Sequence, residues 1–219
     1  MVFKLLVVLY VLLVPSSAFA WGPLTHVYLG SEALYLSSVL PAAVYGLIKR
    51  YKQDYLYGNL MADMILAKKY LPKKSNPHNW DVALGLYESA KTAPEKAFSL
   101  GYMSHLAADT VAHGDYTAGV KNLGHAYLEL KADSFIDRSY WFKAVAIDGK
   151  VQKRNDLFLE RSLERAIFSF KTNKRIFKGA VALSFFNGVK FNALTPGIST
   201  HIEGLREESL DRMIDVLKN

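Results

Sequence analysis

The sequence predicts an all-α protein whose helices form a single domain. Apolar residues recur at the three- and four-residue spacing of a helix, the alternation typical of strands is nowhere sustained, and no segment repeats at a fixed period. The chain has 219 residues, of which 51% are hydrophobic and 21% charged, which excludes intrinsic disorder and fits one or two domains. It contains no Cys, so any metal must be held by nitrogen and oxygen, and any nucleophile must be an oxygen or water.

The first twenty residues have the pattern of a secretory signal. Lys4 precedes ten unbroken apolar residues, 5–14, and the small residues of an A-x-A cleavage site follow at 18–20. Ten apolar residues are too few to span about 30 Å of hydrocarbon. We therefore expect cleavage before Trp21, a mature domain of residues 21–219, and a secreted or periplasmic location. An uncleaved N-terminal anchor is the alternative.

Eight helices are predicted in the mature chain. Their expected ranges are 26–37, 41–51, 55–66, 94–113, 123–146, 156–170, 176–189 and 200–217. Thr25 is the expected N-cap of the first helix, Pro41 and Pro94 suit helix starts, and Gly114 suits a helix end. Residues 67–80 show no periodicity and are expected to form a loop.

Histidines and carboxylates recur at helical spacing in two places. His105, Asp109 and His113 stand at i, i+4 and i+8, so they project from one face of the predicted helix 94–113. His125 and Glu129 repeat the i, i+4 spacing on the next predicted helix. Such pairs suit a metal ion because both side chains reach one point. They also occur as ordinary polar residues, so the spacing alone leaves both interpretations open.

The order of these motifs resembles a known family. The matching segments lie between Trp21 and Ala132, and five of the six His fall among them. They are Trp21, Thr25-His26, Gly58-Asn59-Leu60-Met61-Ala62-Asp63, His78-Asn79-Trp80, residues 101–109 with His113, and Gly124-His125 with Glu129. The set resembles the zinc-dependent phospholipase C family, including the N-terminal domain of glycosylphosphatidylinositol-specific phospholipase D, and is more distantly similar to the fungal single-strand nucleases.

The resemblance implies a single all-α domain of that type, with up to three zinc ions as cofactors. One zinc is expected on Asp63, His78, His105 and Asp109; a second on Asp109, His26 and the amine and carbonyl oxygen of Trp21; a third on His113, His125 and Glu129. Asp63 is also the expected acceptor of a proton from the attacking water. The free amine of Trp21 would exist only after the signal is removed, although Trp21 merely packing near the N-terminus is the simpler interpretation.

The expected function is a secreted zinc phosphodiesterase of the phospholipase C type, which hydrolyses phospholipid head groups. A zinc nuclease acting on single-stranded nucleic acid and a non-catalytic zinc-stabilised binding module are the alternatives. The formal net charge of +7 matches the excess within residues 150–190, which contain ten basic and three acidic residues. That segment suggests peripheral contact with an anionic membrane or nucleic acid, or simply a solvated helix face. No protein partner is inferred.

Overall fold

The computed structural model describes residues 21–64, 76–112, 132–163, 169–187 and 198–219, and within these ranges the chain forms helices and no strand. The helices are α1 (Pro23–Ala33), α2 (Ala42–Arg50), α3 (Lys52–Met61), α4 (Trp80–Ser89), α5 (Ala93–Val111), α6 (Arg138–Val145), α7 (Gly149–Ser162), α8 (Phe170–Asn187) and α9 (Ile198–Lys218). The prediction of an all-α protein is confirmed.

Helix α1 begins earlier than predicted. Its N-cap is Gly22 and Pro23 occupies its first turn, a position where the missing N–H of Pro costs nothing. Thr25 therefore lies inside the helix and is not its N-cap. The backbone N–H groups of Leu24 and Thr25 instead donate to the carboxylate of Asp133, at 3.1 and 2.9 Å. A side chain distant in sequence thus does the capping expected of Thr25.

The helix predicted to start at Pro94 begins with a capping box, which is a stronger helix-start signal than a Pro residue. Thr92 is the N-cap of α5, and its hydroxyl accepts from the N–H of Glu95. The carboxylate of Glu95 in turn accepts from the N–H of Thr92 at 3.0 Å, which completes a capping box. The predicted helix 94–113 is confirmed as far as Val111, and His113 and Gly114 lie outside the described residues.

Two predicted helices are wrong in their bounds because local caps were overlooked. The continuous helix expected over 123–146 is interrupted before α6, where the side chain of Asp137 accepts from the N–H of Ser139. The helix expected over 156–170 starts earlier, at Gly149, because the side chain of Asp148 caps it. That helix ends at Ser162, and Phe170 begins α8.

Helices α3 and α5 form the centre of the fold and approach each other closely. A Cβ added to Gly58 would lie 2.1 Å from the carbonyl oxygen of Phe98, and one added to Gly101 would lie 2.0 Å from that of Tyr55. Only glycine allows backbones to pack at this distance. The two helices therefore bring Asp63, just after α3, beside His105 and Asp109 on α5.

Three of the basic side chains between residues 150 and 190 pair with acidic groups of the described chain. The pairs are Arg154 with Asp54, Arg161 with Glu95, and Lys174 with Asp156. Part of the positive charge of this segment is therefore compensated by the fold itself. None of the helices in the described ranges is both long enough and apolar enough to cross a membrane.

Candidate metal centre

Three parts of the fold supply one cluster of His and Asp side chains. Helix α5 carries His105 and Asp109 one turn apart, and Asp63 follows the end of α3. His78 lies just before α4, on a segment held in place by the hydroxyl of Tyr102, which donates to the carbonyl oxygen of Pro77 at 2.8 Å. All four side chains are brought to one point, where each offers a ligand atom within 4.8 Å of the others.

We call these ligand atoms the four-donor cluster: Oδ1 of Asp63, Nε2 of His78, Nε2 of His105 and Oδ2 of Asp109. From Nε2 of His78, the distances are 3.1 Å to Asp63, 3.2 Å to Asp109 and 3.2 Å to His105. From Nε2 of His105, they are 3.6 Å to Asp63 and 3.2 Å to Asp109. Four ligands placed tetrahedrally about 2.0–2.1 Å from a zinc ion would be about 3.3–3.4 Å apart. The spacing of the four-donor cluster therefore fits a tetrahedral zinc ion.

A hydrogen bond to the backbone orients one of these donors, the ring of His105. Nδ1 of His105 lies 2.8 Å from the backbone carbonyl oxygen of Asn59, which can only accept a hydrogen bond. Nδ1 must therefore carry the hydrogen in the neutral ring, which leaves the lone pair on Nε2 pointing into the cluster. Asn59 is fully buried in α3, so this contact also fixes the rotation of the His105 ring.

The other oxygen of Asp109 faces a second set of donors. Oδ1 lies 3.2 Å from Nε2 of His26 and 3.4 Å from the backbone nitrogen of Trp21. Within the described part of the chain, neither ring nitrogen of buried His26 makes a hydrogen bond of acceptable geometry. A buried nitrogen without such a bond, held beside a carboxylate oxygen, is the arrangement expected for two ligands of one ion.

The rings of His26 and His105 are stacked, with centroids 3.7 Å apart, but their pKa values shift in opposite directions. Burial, and then the nearby charge of His105, lower the pKa of His26, so this ring is neutral and able to bind a metal. Burial also disfavours the charged form of His105, but the carboxylates of Asp109 and Asp63 outweigh it and raise the pKa of His105 to about 10. A metal ion entering the four-donor cluster must therefore displace a proton from His105.

The same charges act on Asp109. Burial alone would raise the pKa of its carboxyl group, but the positive charge of His105, together with its hydrogen bond to Asp109, holds that pKa well below its usual range. Asp109 is therefore ionised at neutral pH and presents one negative oxygen to each donor set. In metal sites a carboxylate placed in this way can bridge two ions.

Two residues that sequence reasoning missed hold the segment before His26 in place. Asp133 is buried, and in addition to its bonds to the start of α1 it accepts from the hydroxyl of Thr25 at 2.8 Å. Burial raises the pKa of Asp133 to about 6, against the lowering effect of these hydrogen bonds. Ser209 of α9 accepts from Nε1 of Trp21 at 2.9 Å. Asp133 follows His125 and Glu129 at the same four-residue spacing, which was the available signal; Ser209 has none.

Six of the nine predicted metal ligands are brought together by the described structure: Trp21, His26, Asp63, His78, His105 and Asp109. The other three, His113, His125 and Glu129, lie outside the described residues. The side chain of His78 is 14% exposed, whereas those of Asp63 and Asp109 are 2% and 4% exposed. His78 is therefore the most exposed of these three side chains.

Comparison with known proteins agrees with this geometry. Residues 25–176 match the sequence profile of the family described as zinc dependent phospholipase C, which is more than half of the chain and extends past the last motif recognised at residue 132. The chain has no significant match among curated proteins or among solved structures. The profile match and the candidate metal-binding group of two His and two Asp together show that this chain belongs to the zinc-dependent phospholipase C family.

Proposed function

We propose that this protein is an exported zinc phosphodiesterase that hydrolyses the head groups of phospholipids. The observation that carries the proposal is the carboxylate of Asp109, which lies between the four-donor cluster on one side and His26 with Trp21 on the other. A carboxylate shared between two donor sets is typical of metal pairs that act on phosphate esters. A single structural zinc site would not need the second donor set.

Each predicted ligand keeps its role in this proposal. Asp63, His78, His105 and Asp109 would hold one zinc; Asp109, His26 and Trp21 would hold a second; His113, His125 and Glu129 would hold a third. Zinc bound here supplies Lewis-acid activation of water and of the phosphoryl oxygens. The donors of the chain are mostly neutral imidazoles, so the loaded site keeps a net positive charge that favours a phosphate ester.

The residues of the chain supply orientation and proton transfer. Hydrolysis adds water across one P–O ester bond: the water oxygen bonds to phosphorus, the ester oxygen leaves, and a proton must move from the water to the leaving oxygen. We assign the acceptance of that proton to Asp63, because its carboxylate lies at the cluster and has a second oxygen, Oδ2, besides the donor Oδ1 that is 3.1 Å from Nε2 of His78. We place the entry of substrate beside His78, whose side chain is 14% exposed.

Maturation is the second part of the proposal. The backbone nitrogen of Trp21 cannot bind zinc as an amide, whereas the amine created by cleavage before Trp21 can do so after losing a proton. The side chain of Trp21 is fully buried and its Nε1 is held by Ser209, so the nitrogen is anchored 3.4 Å from Asp109. Removal of residues 1–20 after export would thus complete the second zinc site.

The decisive experiment is a substrate panel with two matched variants. The full chain is expressed with its leader in an exporting host, loaded with zinc and assayed on phosphatidylcholine, phosphatidylinositol, single-stranded DNA and a generic phosphodiester. We expect phospholipid hydrolysis that falls by about 10³-fold or more in Asp109→Asn, and no change in Asp211→Asn, which alters an exposed carboxylate of α9.

The other outcomes separate the alternatives. Cleavage of DNA but not of lipid would replace the proposed substrate by nucleic acid. Zinc binding without hydrolysis of any substrate would indicate a binding module. Activity that survives Asp109→Asn would show that the four-donor cluster is not the reactive site.

A further inference from the structure

A cavity lies beside the C-terminal end of α1, away from the metal centre. Helices α1, α3 and α6 border this cavity of about 380 Å³. Its volume falls within the range of about 300–1,000 Å³ that is typical of small-molecule pockets. Leu34 follows the last residue of α1 and lines this cavity, whereas His26 lies in the first turn of the same helix. Eight residues of helix separate them by about 12 Å along the axis. The cavity is therefore not part of the metal centre.

The floor of the cavity is apolar. Leu34, Leu56 and Ile147 form most of it, and the side chains of Leu56 and Ile147 are only 8% and 5% exposed. These residues belong to three different segments of the chain, so the floor is fixed by tertiary packing. An alkyl chain of a few carbons would gain from transfer out of water into this space.

The rim of the cavity is positively charged. Lys49, Lys52 and Lys143 line it together, and no Asp or Glu of the described ranges does. No ion pair between these three lysines and a carboxylate occurs among the described residues. Lys49 and Lys143 instead lie over the rings of Tyr45 and Tyr140, with Nζ to centroid distances of 5.2 and 4.1 Å.

The nearby carboxylates are engaged with other groups. Glu32 accepts a hydrogen bond from the hydroxyl of Tyr140 at 3.0 Å, and Asp148 accepts from the N–H of Lys150 at the start of α7. An anion placed among these three ammonium groups would be attracted by all of them and would reduce their mutual repulsion. A ligand with both an anionic group and an apolar part would contact the lysines and the apolar floor together.

We propose that this cavity binds an anionic amphiphile that carries a phosphate on a short alkyl chain. The phosphate lies among Lys49, Lys52 and Lys143, and the alkyl chain lies on Leu34, Leu56 and Ile147. Lysine is a common phosphate ligand because its ammonium group donates three hydrogen bonds. Inorganic phosphate could bind only to the lysines, whereas a lipid fragment with a phosphate and an alkyl chain could bind to both the lysines and the apolar floor. The site is independent of hydrolysis at the metal centre.

The test is a chain-length series measured by titration calorimetry. Inorganic, methyl, butyl and hexyl phosphate are titrated into the zinc-loaded wild-type protein and into Asp109→Asn, which separates this cavity from phosphate binding at the metal centre. We expect a binding event whose affinity rises by about fourfold for each methylene added, and which persists in Asp109→Asn.

Two triple variants identify the site. Lys49→Gln, Lys52→Gln and Lys143→Gln together should weaken hexyl phosphate by about tenfold or more. Lys150→Gln, Lys153→Gln and Lys171→Gln remove the same charge from exposed positions that do not line the cavity, and should change the affinity by less than about twofold.

Three results would overturn the proposal: an affinity that does not depend on chain length, binding that disappears in Asp109→Asn, or equal weakening in both triple variants. A measurement on the wild-type protein does not depend on how well the variants fold. Hexyl phosphate should shift the methyl signals of Leu34, Leu56 and Ile147 in a carbon-labelled sample, and unshifted methyl signals would equally refute the site.

Discussion

The backbone nitrogen of Trp21 lies 3.4 Å from Oδ1 of Asp109, although 88 residues separate the two in the chain. The same oxygen lies 3.2 Å from Nε2 of His26. The residue at which the mature protein is expected to begin thus meets the carboxylate that also belongs to the four-donor cluster. Under the proposed function, processing of the chain and assembly of the metal centre would therefore be linked through the backbone nitrogen of Trp21.

One extra residue before Trp21 should disturb this link. An Ala inserted before Trp21 in the mature chain turns the terminal amine into an amide, which cannot bind zinc. We expect one zinc fewer per chain by native mass spectrometry, together with a loss of phosphodiesterase activity. One residue added after Asn219 is the control and should change neither. An unchanged zinc count with the extra Ala would mean that Trp21 only packs in the core.

The metal-free protein should hold a proton on His105 well above neutral pH. The carboxylates of Asp109 and Asp63 raise the pKa of His105 to about 10 against the effect of burial. At pH 8 we therefore expect both ring nitrogens to be protonated in nitrogen-detected spectra of chelator-treated protein, and zinc to remove that signature. In Asp109→Asn the pKa should fall, because the largest contribution that raises it is lost.

The sign of the effect on stability follows from linkage. The folded protein binds this proton more tightly than the unfolded chain, whose His pKa is about 6.5. The contribution of His105 to the free energy of unfolding is thus fully present below about pH 6.5 and is lost as the pH rises toward 10. Thermal unfolding of the metal-free protein should show this decline, and Asp109→Asn should show less of it. A neutral His105 ring at pH 8 would contradict both expectations.

Close packing of α3 against α5 should make Gly58 sensitive to a single methyl group. A Cβ at Gly58 would lie 2.1 Å from the carbonyl oxygen of Phe98, so Gly58→Ala forces the helices apart and should cost roughly 1–3 kcal/mol or more. Gly85, in α4, has nothing within 4 Å of its added Cβ, and Gly85→Ala should stabilise by up to about 1 kcal/mol. Urea unfolding measures both, and a Gly58→Ala protein as stable as the wild type would show that the helices do not depend on this contact.

Local patterns were enough to predict the helical fold and the half of the cluster that lies on one helix. His105 and Asp109 share a face because the helix period places them there. Asp63 and His78 have no such spacing, and only the family resemblance assigned them. Their meeting depends on the glycine contact between α3 and α5 and on the bond from Tyr102 to Pro77, which are contacts between distant segments.

The wrong N-cap of α1 has the same origin. Thr25 has the right residue type and position for an N-cap, and local propensity favours it. The structure moves the helix start to Gly22 because Asp133, more than a hundred residues away, accepts from the N–H groups of the first turn. Tertiary contacts of this kind leave no periodic signal, whereas Asp137 and Asp148 were local caps that the sequence did display.

Asp133 should act as a positioning residue for the second set of donors. Asp133→Ala leaves the N–H groups of Leu24 and Thr25 buried without an acceptor, which costs about 1–3 kcal/mol. Because α1 also carries His26, we expect zinc bound by His26 and Trp21 to be lost first, while the four-donor cluster keeps its ion. Asp133→Asn retains one accepting oxygen and should rescue part of the loss.

The matched control for Asp133 is another helix cap that lies away from the metal centre. Asp137 accepts from the N–H of Ser139 at 2.8 Å at the exposed start of α6. Asp137→Ala should lower the unfolding temperature without changing the zinc count, whereas Asp133→Ala should lower both. Zinc counts by native mass spectrometry distinguish the two roles, because a merely structural cap would not affect one metal site selectively. If both variants lost zinc in proportion to their loss of stability, Asp133 would support the fold and not the position of His26.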